Sequence, residues 1–152
     1  MNMLASSQAA GEALPTVTKP VILVVEDDPF VRGVTCEMLE LAGYQVLEST
    51  GPSDALKVMA ERAADVRLIL SDLVMPGMNG LDLAHRLQQL QPGLRTLFMS
   101  GHVDRDLVQR LSGRAAAPFL RKPFTMETLL ARVADAMEIS PTLRTLASSC
   151  PV

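Results

Sequence analysis

The sequence predicts an α/β domain in which a doubly wound, five-stranded parallel sheet is covered by five helices. Three observations carry that prediction. Short apolar runs recur along the chain, and two of them end in acid, at Glu26 and Asp72. Between the runs lie stretches with apolar residues at helical spacing. The boundaries carry helix start and stop residues: Asp28-Pro29, Gly43, Pro52, Gln91-Pro92-Gly93 and Thr125.

The first strand is expected over residues 21–26, apolar until its final acid, as a strand buried on both faces should be. The Asp28 carboxylate is placed to cap the next helix, and Pro29 suits its first position. Val31, Val34, Met38 and Leu41 form that helix's apolar face, and Gly43 stops it. A second strand follows over 44–49. Pro52 opens a second helix with Leu56, Met59, Ala60 and Ala63 on one face. The third strand, 67–72, holds Leu68-Ile69-Leu70 and ends in acid. A turn rich in Pro and Gly, 75–80, leads to a third helix bearing Leu83, Ala84, Leu87 and Leu90, which Gln91-Pro92-Gly93 ends. The fourth strand spans 94–100 and a short polar fourth helix 104–111. The fifth strand, 118–121, tolerates Pro118 at its start. Thr125 caps a last helix carrying Leu129, Leu130, Val133 and Met137.

Composition narrows the function classes. The chain has 152 residues, 48% of them apolar, which allows one domain with a real core. Residues 1–18 read as a flexible N-terminal extension, 19–139 as the domain and 140–152 as a C-terminal tail. A net charge of −3 without a basic cluster argues against nucleic-acid binding. No apolar run approaches the roughly 20 residues of a membrane span, and the start lacks a signal-peptide pattern. Cys36 and Cys150 form no metal-ligand pattern and suit a reduced, cytoplasmic chain.

In a parallel α/β sheet the functional crevice lies beyond the carboxyl ends of the strands. That gathers Glu26, Asp27, Asp72, Ser100 and Lys122. Three converging carboxylates repel one another unless a cation joins them, and an all-oxygen set favours Mg2+. Lys122 adds a positive point charge and Ser100 a hydroxyl donor. A metal, an ammonium and a hydroxyl around one carboxylate suit three phosphoryl oxygens, with Asp72 as the nucleophile. Each residue taken singly has an ordinary explanation: a solvated turn acid, a turn serine, a surface lysine. Asp28 is assigned to capping, and Asp104 and Asp106 to solvated surface. The functional reading rests on four strand ends agreeing.

Four segments resemble a known family in order and spacing: Val24-Val25-Glu26-Asp27-Asp28, the run 71–80 (SDLVMPGMNG), Met99-Ser100-Gly101 and Lys122-Pro123-Phe124. They resemble the receiver domain of two-component response regulators, over roughly residues 19–139. The resemblance implies a flavodoxin-like sheet of strand order 2-1-3-4-5. It implies Asp72 as phosphoacceptor, with Ser100 and Lys122 completing the reacting set. Asp27, Glu26, Asp72 and the Val74 carbonyl would hold Mg2+. Lys122-Pro123 resembles a bond that is cis in the family. Ser100 and Phe119 occupy switch positions; Ser100 stands where threonine is commoner, and Phe119 where some members have tyrosine. Val74 and His102 occupy positions that tune the lifetime of the phosphorylated state.

The wording is most similar to receivers attached to hybrid sensor kinases. The implied function is a signalling phosphoacceptor rather than a turnover enzyme. It takes its phosphoryl group from a sensor histidine kinase or a histidine phosphotransfer protein and acts by protein contact, as a monomer or a phosphorylation-dependent dimer. The short stretch after residue 139 leaves no room for a DNA-binding output domain in this sequence. The alternatives are a phosphate-relay sink or a degenerate receiver serving only as an interaction module. A haloacid-dehalogenase-type phosphatase is disfavoured because Asp72-Leu73-Val74 lacks a second acid. A nucleotide switch is disfavoured because no Gly-Lys-Ser/Thr phosphate loop is present.

Overall fold

Two runs rich in Val, Leu and Ile, residues 21–25 and 66–72, bury both faces almost throughout, and the other strands pair around them. The computed structural model describes residues 20–101 and 119–138. Its strands are β1 (Val21–Val25), β2 (Gln45–Ser49), β3 (Val66–Asp72), β4 (Arg95–Ser100) and β5 (Phe119–Arg121). They form one sheet of order β2-β1-β3-β4-β5, with every pair parallel. The described helices are α1 (Pro29–Leu41), α2 (Pro52–Arg62), α3 (Gly80–Leu90) and α4 (Met126–Glu138). The helix expected over 104–111 lies outside the described residues, as do Pro118 and both predicted tails.

Alternation along each strand divides the core in two. Ile22, Val24, Leu68, Leu70, Leu97 and Met99 pack under α1 and α4 against Cys36, Leu39, Leu129 and Val133. Val21, Leu23, Val25 and Ile69 pack under α2 and α3 against Ala55, Met59, Leu83 and Leu87. Both faces are therefore dry, and a polar alternation in the strands would have no solvent to meet. Each fully buried side chain of this size stabilises the fold by roughly 1.5–3 kcal/mol. Among the described residues, no helix is long and apolar enough to cross a membrane. The Cys36 thiol, in this core, is pushed up to about 12 by burial, with the charges of Glu48 and Glu40 adding to the effect.

Local signals hold where a hydrogen bond enforces them. The Asp28 carboxylate accepts from the amides of Phe30 at 2.9 Å and Val31 at 3.2 Å, and Pro29 opens α1. Gly43 takes a φ of 101°, where an L side chain would be strained. Thr125 Oγ1 accepts from the Thr128 amide at 3.1 Å. Strand boundaries shift by one residue for identifiable reasons. The amide of Tyr44 bonds back to Leu39 and that of Leu94 to Gln91, so both belong to turns. Val66 pairs with Val21 and lengthens β3.

Two predicted helix faces need correction. On α1 the core side is Thr35, Cys36 and Leu39; Val31, Val34 and Met38 are only half-buried, and Leu41 is 71% exposed. On α2, Met59 is buried and Leu56 and Ala63 pack against the core as expected, but Ala60 is exposed and Ala55 takes the remaining buried position. Leu90, expected on the inner face of α3, is 54% exposed.

Candidate functional site

Parallel pairing aligns the carboxyl ends of β1, β3, β4 and β5 along one edge of the sheet. Val25 is opposite Ser71, Asp72 opposite Met99, and Ser100 opposite Arg121. The chain then leaves the sheet through bonds that keep the ends together. The Glu26 amide donates to Ser49 O, Leu73 to Met99 O and Lys122 to Ser100 O. Glu26, Asp72 and Ser100 are buried polar residues there, and Asp27 is exposed.

Glu26, Asp27 and Asp72 each offer a carboxylate oxygen, and the three oxygens lie within 4.8 Å of one another. Lys122 reaches into this cluster. Its Nζ donates to Glu26 Oε2 at 2.6 Å and to Asp72 Oδ2 at 3.2 Å. Glu26 Oε1 also accepts from the Asp28 amide at 3.1 Å, and the Val74 amide lies 3.4 Å from Asp72 Oδ1. Burial pushes the Glu26 carboxyl up; Lys122 and the Asp28 amide pull it back, and the charge of Asp72 pushes it up again. Burial works to lower the Lys122 ammonium, but its hydrogen bond to Glu26 and the negative charge of Asp72 outweigh that and raise it. The bond between Lys122 and Pro123 is cis.

This donor set fits a small, hard divalent cation. It is all oxygen and carries three acids against one lysine. The predicted Glu26, Asp27 and Asp72 are brought together, with Lys122 beside them. Ser100 sits buried on the neighbouring strand end. Val74 lies just beyond Asp72 with its side chain 47% exposed. Phe119, paired with Phe98, packs half-buried against Leu73, Leu81, Ala84 and Phe98. His102 lies outside the described residues.

Two supports had no assigned role in the sequence reading. Gly80 enters the sequence reading as the last residue of a turn and of the run 71–80, without a role of its own. A Cβ there would come 2.2 Å from the backbone oxygen of Asp72 and 3.0 Å from Ser71 Oγ. The Gly80 amide donates to Leu73 O, and Ser71 Oγ donates to Asp72 O at 2.9 Å. So the start of α3 presses directly on the backbone that carries Asp72. The available signal was a glycine where Asn79 caps a helix, a place with no need for positive φ. Arg32 is the second support: its Nη1 donates to Glu26 O at 2.8 Å and its Nε to Glu48 Oε1 at 3.2 Å.

Beside the cluster, the half-buried residues of α1 open onto an apolar groove of about 460 Å³. Phe30, Val34 and Met38 form one wall, and Lys122, Pro123 and Phe124 the other. Phe30 is 77% exposed.

The family profile described as response regulator receiver domain matches residues 22–134. The chain is 33% identical over 117 residues to the sensor kinase CckA of Brucella abortus, covering 77% of this chain and 12% of that protein. Among solved structures, the receiver domain from the hybrid histidine kinase CckA is 31% identical with a TM-score of 0.66, over 78% of this chain and 99% of that one. The non-phosphorylated HemR receiver domain from Leptospira biflexa is 30% identical with a TM-score of 0.70, over 80% and 97%. The chain spans between 12% and 30% of the length of the curated relatives it matches. The cluster of Glu26, Asp27 and Asp72 fits the magnesium-binding phosphorylation site of such domains.

Proposed function

Because the chain belongs to the response regulator receiver family, we propose that Asp72 accepts a phosphoryl group and that the domain signals through the change this causes. The observation that carries the reading is the meeting of three carboxylates and one ammonium at the sheet edge. Glu26, Asp27, Asp72 and the Val74 carbonyl would hold Mg2+, which when bound offsets the negative charge of the incoming phosphoryl oxygens. An Asp72 carboxylate oxygen attacks phosphorus; the bond to the donor's histidine nitrogen breaks, and an acyl phosphate forms on Asp72. Lys122 supplies an ammonium to a phosphoryl oxygen, and Ser100 a hydroxyl hydrogen bond to another. The domain is then a reactant in its own phosphorylation rather than a turnover enzyme.

The phosphoryl donor is a sensor histidine kinase or a histidine phosphotransfer protein, in the cytoplasm. The apolar groove beside Lys122 gives such a partner a surface next to the reacting carboxylate. Phosphate draws the Ser100 hydroxyl toward the site and alters the packing of Phe119 on Phe98 and Leu81, a shift between two populated states. The domain comprises residues 19–139, flanked by extensions, and hands its signal to a protein target. Incubation with acetyl phosphate tests this, read as intact mass with and without Mg2+. One phosphate is expected on the wild type with Mg2+, and none on Asp72→Asn, whose amide is a poor nucleophile. Equal phosphorylation of Asp72→Asn overturns the assignment.

A further inference from the structure

We infer that Arg32 is a positioning residue for the metal-facing end of β1, acting through the Glu26 carbonyl and itself held by Glu48. This rests on reading the acidic cluster as a Mg2+ site. The segment 26–28 leaves β1 and enters α1 within three residues, and it carries two of the three clustered carboxylates. Its course is fixed from α1. The Arg32 amide donates to Asp28 O at 2.9 Å, and the Arg32 guanidinium donates to Glu26 O at 2.8 Å. The Glu26 carbonyl lies past the last residue of its strand, where a buried acceptor needs a partner from elsewhere. Arg32 supplies it and orients the peptide joining Glu26 to Asp27. Asp27 is exposed, so the backbone on either side of it sets where its carboxylate points.

The fork of the guanidinium is what the position requires. Nη1 bonds the β1 end while Nε bonds Glu48, a β2 residue opposite Val24. One planar group thereby ties α1, β1 and β2 together, whereas a lysine ammonium is a single point on a flexible stem. Arg32 touches neither the metal oxygens nor the phosphoryl site in this arrangement. Its effect is on the geometry of the ligands, as with groups that orient metal-binding side chains in general.

The test is a Mg2+ titration without any phosphodonor, followed by amide chemical shifts of residues 26–28 and 72, on wild type, Arg32→Ala, Arg32→Lys and Glu48→Gln. Leu39→Ala, a core truncation on the same helix, serves as the structural control. Arg32→Ala is expected to weaken Mg2+ binding by about tenfold, with Arg32→Lys recovering part of the loss. Glu48→Gln should weaken it by about two- to threefold, and Leu39→Ala should leave it unchanged however much the urea midpoint falls. Mg2+ affinity of Arg32→Ala within about twofold of wild type overturns the inference, as does an equal loss in Leu39→Ala. If Arg32→Ala does not fold, Arg32→Lys decides, and wild-type affinity in that variant overturns it. A wild type that binds no Mg2+ overturns the metal-site reading itself, and the inference falls with it.

Discussion

In the middle of the sheet, Ile22, Leu68, Ile69 and Leu97 are fully buried among other apolar side chains; a few residues further along the same strands, Glu26, Asp72 and Ser100 are almost as deeply buried and are polar. The two regions share one backbone scaffold but store opposite kinds of energy. The body gains from every methylene removed from water. The edge holds like charges close together, and Lys122, bonded to Glu26 and Asp72, offsets only part of their repulsion. Stability therefore resides in the body, and responsiveness in the edge.

The comparison breaks most visibly in the body. Leu68→Ala should lose about 2–5 kcal/mol, read as a lower urea midpoint, while any folded fraction still takes phosphate on Asp72. A loss below about 1 kcal/mol would mean that the body is not where stability is held.

At the edge, Lys122→Ala should lose about 2 kcal/mol, below the figure for fully buried pairs, because Lys122 is partly exposed and Glu26 is able to take up a proton. The pH dependence follows from the raised Lys122 value. Its contribution is fully present below the ordinary lysine pKa of 10.5 and is lost as pH rises through the higher folded value. Wild-type stability should thus converge on that of Lys122→Ala in strongly alkaline urea titrations. A constant difference between the two would contradict the ion pair.

Asp27→Ala should act in the opposite sense to Leu68→Ala. Without Mg2+ it removes crowding and should raise stability by about 0.5 kcal/mol, while Mg2+ affinity falls. Chemical denaturation with and without Mg2+ checks both signs; unchanged Mg2+ affinity would remove Asp27 from the ligand set. The smallest thermodynamic effect belongs to Val74. Its side chain is exposed, so Val74→Asn should leave stability within about 0.5 kcal/mol. The phosphorylated state should nevertheless decay faster, since an amide gives the attacking water a polar partner. Decay at the wild-type rate after donor removal would argue against that role.

The gathering of residues at the edge was legible in the sequence because parallel topology brings strand ends together whatever the loops do. The strand order came from the resemblance of four segments to the receiver family, and of the two strands expected to end in acid, β3 ends on Asp72 while β1 stops at Val25, one residue before Glu26. Caps at Asp28 and Thr125 were legible because they are local. The face of α2 was legible except at Ala60, and that of α1 less so, since apolar periodicity says that a face is covered without saying by what. On α1 the stripe of Val31, Val34 and Met38 lines a groove, with only Met38 also packing on the core, while Thr35, with its hydroxyl bonded to Val31 O, is buried at the floor of that groove. Gly80 and Arg32 were missed because their importance lies in contacts with backbone atoms of other segments, which leave no pattern in side-chain spacing. Lys122 was expected to meet phosphate; the structure also gives it a partner in Glu26, 96 residues away in the chain.

The central claim is that one carboxylate at the sheet edge, Asp72, becomes an acyl phosphate. Borohydride reduces an acyl phosphate to an alcohol, converting the modified aspartate to homoserine. Peptide mass mapping after phosphorylation with Mg2+ and reduction should find homoserine at position 72, with residues 26 and 27 unchanged. Homoserine at another aspartate, or none in protein whose intact mass shows a phosphate, would contradict the account.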